Sequence, residues 1–347
     1  MGFSCRLAAL ALGATLLIAG AADVGAQSRT RVMVYTATET EELSALKAAI
    51  ETDLPDIEVQ WVRDSTGVIT ARLMAERDSP RADMVFGLVT SSLLLLERMN
   101  LLEAYRPQGA EGLKPAFQDT SEPYSWTGLD AFVIALCFNT VEAGKANIPK
   151  PESWGDLIHP SLRSRLVMPH PASSGTGFLI VASWIQIMGE DAAWRYMEAL
   201  DRNVSLYTHS GSAPCVQAAR GERVIGISFD MRAARERSLG APIDIIVPRD
   251  GVGWEMGALA IIRGRPPAQA AAARRIADWA TGRNANELFA RFYGIVARPG
   301  IVNVPPNYPT DAESRMIQLN YTWMADNRDR ILAEWSKRFE NRPPQRN

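Results

Sequence analysis

A chain of 347 residues with 37 Lys and Arg against 39 Asp and Glu carries a formal charge of -2, a balance that argues against nucleic acid as a partner. Its three histidines, His159, His170 and His209, have no metal-ligand spacing, and no HExxH, P-loop or GxGxxG occurs, so no metal and no cofactor is expected. The length exceeds what one core usually supports, and two lobes are expected.

The first 26 residues read as a secretory signal, with Arg6 in a short n-region, an apolar stretch over 7–22 and small residues before Gln27. Gly13 and Gly20 break that stretch, which is short for a membrane span, so cleavage after Ala26 and a soluble, exported protein are predicted. Cys5 precedes the apolar stretch, unlike the cysteine of a lipoprotein signal. Removing the leader takes one Arg and one Asp and leaves the net charge unchanged. An oxidising compartment would permit Cys137 and Cys215 to pair, but their apolar settings favour two buried free thiols.

From Arg31 onward strands and helices alternate with short polar breaks, which is how a parallel sheet covered by helices is written. The fold class is α/β. A strand over 32–35 precedes Thr38 and Glu41, spaced as a capping box, and a helix with Leu43, Leu46, Ile50 and Leu54 on one face. Ile57, Val59 and Trp61 alternate as a second strand; a third spans 84–88, followed by a helix ending near Met99.

The continuous apolar run 131–138 and the polar, proline-bearing segment 139–151 mark the crossing into a second lobe. That lobe carries helices over 191–200, 213–220 and up to Leu239, and strands over 224–228 and 243–247. A strand over 258–262 returns to the first lobe, an alanine-rich helix follows Pro266 and Pro267, and 311–339 reads as amphipathic helix. The expected organisation is a signal over 1–26, one lobe from 27–130 and 255–300, a second from 131–254, and a C-terminal helical segment over 301–347 packing on the lobes. Two crossings make a hinge, and a hinge makes a cleft that closes over a small ligand.

The segment 167–184 says most about that ligand. Ser173, Ser174 and Thr176 offer hydroxyls, Gly175 and Gly177 admit a close approach to the backbone, and the apolar helix behind them starts with unpartnered N–H groups. These residues either hold an anion or cap a helix. Thr36 and Thr38 after the first strand, and Thr90 after the third, lie where open α/β sheets place ligands, with capping as the competing role. Ser210, with Gly211 and Ser212, completes an anion shell or forms a surface turn. Asp230, Glu255 and Glu39 could meet a cationic group or cap helices, and Trp254 could stack on one.

The pieces Val34-Tyr35-Thr36-Ala37, Pro151-Glu152-Ser153-Trp154-Gly155-Asp156-Leu157, Ser173-Ser174-Gly175-Thr176-Gly177 and Trp254-Glu255-Met256-Gly257-Ala258, in that order and spacing, resemble the periplasmic solute-binding proteins of ABC importers. The likeness is to the branch shared by ferric-iron and 2-aminoethylphosphonate binders. It implies a two-lobed type II periplasmic binding protein fold with a hinge and central ligand cleft, no catalysis, and delivery of cargo to a membrane permease. Iron binders of this branch resemble one another in using a histidine, a glutamate and a tyrosine pair. Here Glu39, Val89 or a neighbour, and Phe229-Asp230 stand in those places, and phenylalanine and valine offer ferric iron no ligand.

The resemblance therefore implies 2-aminoethylphosphonate as cargo. Its phosphonate would lie on Ser173, Ser174, Gly175, Thr176, Thr36, Thr38, Thr90 and Ser210, and its ammonium on Asp230, Glu255, Trp254 and Glu39. The alternatives are ferric iron, phosphate, sulfate or a polyamine in the same receptor, or a secreted hydrolase using Ser174 as nucleophile, although that serine lacks the Gly-x-Ser-x-Gly frame.

Overall fold

The computed structural model describes residues 29–304 and 308–340, so the expected leader and its cleavage after Ala26 lie outside the described residues. In chain order the first unit is β1 (Thr30–Thr36), α1 (Thr40–Asp53), β2 (Ile57–Arg63), α2 (Thr66–Ala75), β3 (Met84–Val89) and α3 (Thr90–Arg98). The apolar alternation of β2 and the buried stripe Leu46 and Ile50 of α1 put helices against a parallel β2-β1-β3 sheet. Helix α2 takes the place of the helix that the alternation implied between the second and third strands, a helix whose bounds the sequence left open because Thr66-Gly67 and a β-branched interior weaken its pattern. The capping box does not form. Glu39 is the N-cap of α1, and the Thr38 N–H instead donates to Thr36 Oγ1 at 3.0 Å.

Strand β4 (Thr127–Asn139) carries the chain across. Its residues 127–133 pair with a later strand, β9 (Trp254–Ile261), in the first sheet, and 134–138 pair with β7 (Ile225–Phe229) in the second. It reads as one apolar run because both halves are covered on both sides. Beyond it lie α4 (Thr140–Ala146), β5 (Leu166–Pro169), α5 (Gly175–Met188), α6 (Glu190–Asp201), β6 (Val204–Thr208), α7 (Ala213–Ala219), β7 (Ile225–Phe229), α8 (Asp230–Ser238) and β8 (Ile243–Ile246). Helix α5 is apolar on every face and buried throughout its first three turns, as expected of a helix packed inside a lobe. Strand β9 (Trp254–Ile261) makes the second crossing, followed by α9 (Pro267–Thr281), α10 (Arg283–Ala290) and β10 (Ile295–Val296). The resulting path, β2-β1-β3-β9-β4-β7-β5-β6, is two twisted half-sheets joined at β4 and β9, the two-lobed type II arrangement.

Cores lie on both faces of the first half-sheet and around the second. The C-terminal helix is α11 (Tyr321–Trp335), not a helix from 311, because Asn320 caps it by accepting the Trp323 N–H and Met316 is drawn into a bridge with Val252. Helix α11 sends Met324, Ile331 and Trp335 into the second core, while Asp326 pairs with Arg98 of α3.

The expectation of free thiols is overturned. Cys137 of β4 and Cys215 of α7 are joined by a disulfide with their Cα atoms 5.3 Å apart. Helix α7 packs directly on the β4–β7 pair, with Gly226 leaving room for the backbone at Pro214 and Cys215, and this tertiary approach is invisible in a local sequence pattern. Among the described residues no helix is long and apolar enough to cross a membrane.

Candidate functional site

Three helices start beside strand C-termini around one cleft of about 100 Å³, the position that open α/β sheets reserve for ligands. β1 leads through Ala37 and Thr38 to α1, β2 through Asp64 and Ser65 to α2, and β5 through residues 170–174 to α5.

One end of the cleft is built for an anion. Helices α2 and α5 come from different lobes, yet their first residues touch. The Gly67 N–H donates to the Ser173 carbonyl at 2.9 Å, and a Cβ on Gly175 would lie 2.8 Å from Thr66 Oγ1. Only residues without side chains permit that approach. The backbone N–H groups of Thr66, Gly175 and Thr176 have no intramolecular acceptor among the described residues, and neither do the hydroxyls of Ser65, Thr66 and Thr176, which are more than nine-tenths buried. Ser174 Oγ accepts the Gly177 N–H at 3.2 Å as the cap of α5, so its own proton stays available. Arg63 adds a full charge, and its Nε is anchored on the Thr38 carbonyl at 3.2 Å. Two helix N-termini with unspent donors therefore meet in a cleft whose lining also carries a guanidinium.

The other end is acidic and apolar. Glu42 of α1 and Asp130 of β4 face the cleft beside Phe132, Phe229, Val89 and Met231, the two phenylalanine rings standing edge to face at 5.5 Å. Asp130 lies opposite Gly257 on β9, whose missing side chain makes room for the carboxyl. Burial raises Asp130 to about 7, with the Asp230 charge adding to it. Glu42 is raised well above the usual carboxylate range, first by burial and then by Asp130, Glu39 and Glu41. Glu39 also lines the cleft but is already neutralised, since Arg232 of α8 pairs with it at 2.5 Å and with Glu41 at 2.6 Å.

These pairs bind lobe to lobe. Arg235 meets Glu41 at 2.9 Å, and His209 Nε2 meets Asp64 at 2.8 Å, so the cleft is held in a closed arrangement by contacts at both ends of its mouth.

Of the residues expected from sequence, Ser174, Gly175, Thr176, Thr38, Ser210 and Glu39 line the cleft. Ser173 is turned aside, its Oγ donating to the His209 carbonyl at 2.9 Å. Thr36 is buried beneath the Thr38 N–H, and Thr90 reaches the Met256 carbonyl at 3.4 Å. Asp230 lies behind the cleft wall, accepting from the Val133 N–H at 2.9 Å and the Tyr308 hydroxyl at 2.6 Å, with burial holding it at about 6. Glu255 is fully buried against the Ser91 N–H at 2.7 Å, and burial raises it to about 7. Trp254 Nε1 donates to the Ile317 carbonyl at 3.0 Å, and its ring packs on Tyr321, in a separate groove. These three residues anchor the hinge strands and do not face the cleft.

The sequence reading missed Arg63, Ser65, Thr66, Glu42 and Asp130. Signals existed for each. Ser65-Thr66-Gly67 after β2 repeats the hydroxyl-glycine pattern of Ser174-Gly175-Thr176 after β5. Glu42 heads the buried stripe Glu42, Leu46, Ile50, and Asp130 is the only charged residue in β4. Among the described residues no group of three or more His, Cys, Asp or Glu is placed to hold a metal.

Residues 79–322 match the model of the bacterial extracellular solute-binding proteins. An uncharacterized protein of Haemophilus influenzae is 30% identical over 283 residues, spanning 80% of this chain and 81% of its own. The periplasmic binding protein AfuA from Actinobacillus pleuropneumoniae, solved with exogenous fructose-6-phosphate bound, superposes with a TM-score of 0.84 at 26% identity, covering 91% of this chain and all of that one. The periplasmic binding protein P5PA superposes with a TM-score of 0.83 at 25% identity, covering 90% of this chain and all of its own.

Proposed function

The chain belongs to the bacterial extracellular solute-binding protein family, and from that premise we propose that it captures a small phosphoryl-bearing solute in the periplasm and delivers it to the permease of an ABC importer. The observation that carries the reading is the convergence of the α2 and α5 N-termini with Arg63, which leaves three N–H groups and three buried hydroxyls unspent at one point. No bond is made or broken. The phosphoryl oxygens take donors from both lobes at once, so the ligand favours the closed state over the open one by the contacts that only closure brings together.

2-Aminoethylphosphonate is the specific solute we put first. Its phosphonate would sit on Ser65, Thr66, Ser174, Gly175, Thr176 and Arg63, with Thr38 and Ser210 at the edge of the seat. A sugar phosphate is the second reading, favoured by the fructose-6-phosphate bound to the AfuA protein, with hydroxyls in place of the ammonium.

Calorimetry of ligand-stripped protein against alkylphosphonates, phosphate monoesters, inorganic phosphate and sulfate tests the phosphoryl seat. Binding of phosphonates or phosphate esters, lost in Arg63→Met, is the expected result. No affinity for any of them would sink the reading.

A further inference from the structure

The acidic end of the cleft has chemistry of its own, beyond the phosphoryl seat on which the inference rests. We infer that Glu42 and Asp130 are the specificity-determining pair of the cleft, selecting solutes whose end opposite the phosphoryl group is a protonated amine. Glu42 is more than nine-tenths buried and lines the cleft, and its carboxyl makes no hydrogen bond or ion pair among the described residues. Asp130 lines the same wall and likewise has no side-chain partner from another residue, while Gly257 and Gly294 leave the space its carboxyl occupies. Buried polar groups ordinarily have partners in the protein, and two carboxyls without any, side by side in a binding cleft, mark the place where a ligand supplies them.

Charge decides what that ligand end is. The remaining cleft carboxylate, Glu39, already has cationic partners inside the protein, Arg232 at 2.5 Å and Arg63 at 4.0 Å, and so differs from the unpartnered pair. Among the described residues Arg63 is the only cation lining the cleft, and it follows β2 beside Ser65 and Thr66 in the chain. A solute that brought only a phosphoryl dianion would leave both carboxyls protonated in the closed cleft, whereas a cationic group draws them into the ionised form that binds it. An ammonium brings one positive charge and three donors, enough to satisfy Glu42 and Asp130 together. Hydroxyls satisfy the hydrogen bonding of the protonated pair but cannot draw it into the charge-assisted contacts an ammonium makes.

The test measures wild type, Glu42→Gln and Asp130→Asn by calorimetry with 2-aminoethylphosphonate, 2-hydroxyethylphosphonate, ethylphosphonate and fructose-6-phosphate, after thermal melts establish that each variant folds. Wild type should prefer the amine over the alcohol and the alkyl compound by about a hundredfold. Each substitution should weaken the amine about tenfold or more while leaving ethylphosphonate unchanged or tighter. Wild type binding the alcohol, ethylphosphonate or fructose-6-phosphate as tightly as the amine overturns the inference and leaves the phosphoryl seat standing. Failure of all four ligands on wild type overturns both. Should a variant not fold, the wild-type ranking alone decides.

Discussion

Arg232 does not itself line the cleft, yet its replacement by methionine should weaken solute capture. The guanidinium, 8% exposed, sits on α8 of one lobe and reaches Glu39 and Glu41 at the start of α1 in the other. Removing one partner of a fully buried ion pair costs about 3–5 kcal/mol. Here Glu39 and Glu41 keep 19% and 24% side-chain exposure, so water recovers part of that cost once the lobes part. The contact with Glu236 at 3.1 Å lies within α8 and is the same open or closed. Arg235 retains its own pair with Glu41. What remains for closure is about 1–2 kcal/mol, or roughly a 5- to 30-fold rise in apparent Kd if the pairs form only when the lobes meet. Calorimetry with ethylphosphonate is the appropriate assay, because the Glu39 carboxylate freed by the change could attract an amine and mask the loss. Wild-type affinity for the same ligand should also fall with added salt, and the Arg232→Met protein should show less of that dependence. An unchanged Kd in a folded Arg232→Met protein would refute the reasoning, since the bridge would then hold nothing that binding uses.

Other outcomes follow from the same geometry. Ser174→Ala removes the cap of α5 and a donor to the seat, and should lower stability by about 1 kcal/mol and weaken every phosphoryl ligand alike, read by melting and calorimetry together. Reducing the Cys137–Cys215 bond, which spans 78 residues, should cost up to about 4 kcal/mol on chain-entropy grounds, seen as a lower melting temperature with dithiothreitol and in a Cys137→Ser, Cys215→Ser protein. Burial raises Asp130 and Glu255 to about 7 and Asp230 to about 6, above their values near 4 in an unfolded chain, so the folded protein binds the extra protons. These groups therefore stabilise the ligand-free protein as pH falls from about 7 toward 4 and cost stability as it rises. The melting temperature should be higher at pH 5.5 than at pH 8, and Glu255→Gln should flatten that slope.

How much of this was legible depended on whether a local pattern or a tertiary approach set the feature. Ser174, Gly175 and Thr176 could be found because hydroxyls and glycines before an apolar helix are a local signature of donors left unspent. The same signature at Ser65, Thr66 and Gly67 escaped notice because α2 is short, with Gly67, Ile69 and Thr70 weakening its helical pattern. Thr38 and Glu41 have the spacing of a capping box, but Glu39 takes the cap and Glu41 is drawn outward to Arg232 and Arg235, contacts made by a helix nearly 200 residues later. Asp230 and Glu255 looked like ligand groups because they follow β7 and open β9. Their carboxyls instead accept from the Val133 N–H of β4 and from the Ser91 N–H in the first turn of α3, which has no intrahelical acceptor. Asp130 and Glu42 offered the opposite case, charges set among buried positions where only a cleft explains them.

The disulfide has a bearing on where the receptor becomes competent. Residues 137 and 215 enclose β5, α5, α6, β6 and the turn at Ser210, so the second lobe's entire share of the anion seat lies inside one covalent ring. That ring closes only under oxidising conditions. A copy of the chain held in a reducing cytosol assembles the seat on an open ring, with its least constrained half facing whatever phosphorylated metabolites surround it. On the proposed role, export would do more than deliver the receptor to its solute: it would close the ring around the half-site on the far side of the membrane, where capture is useful.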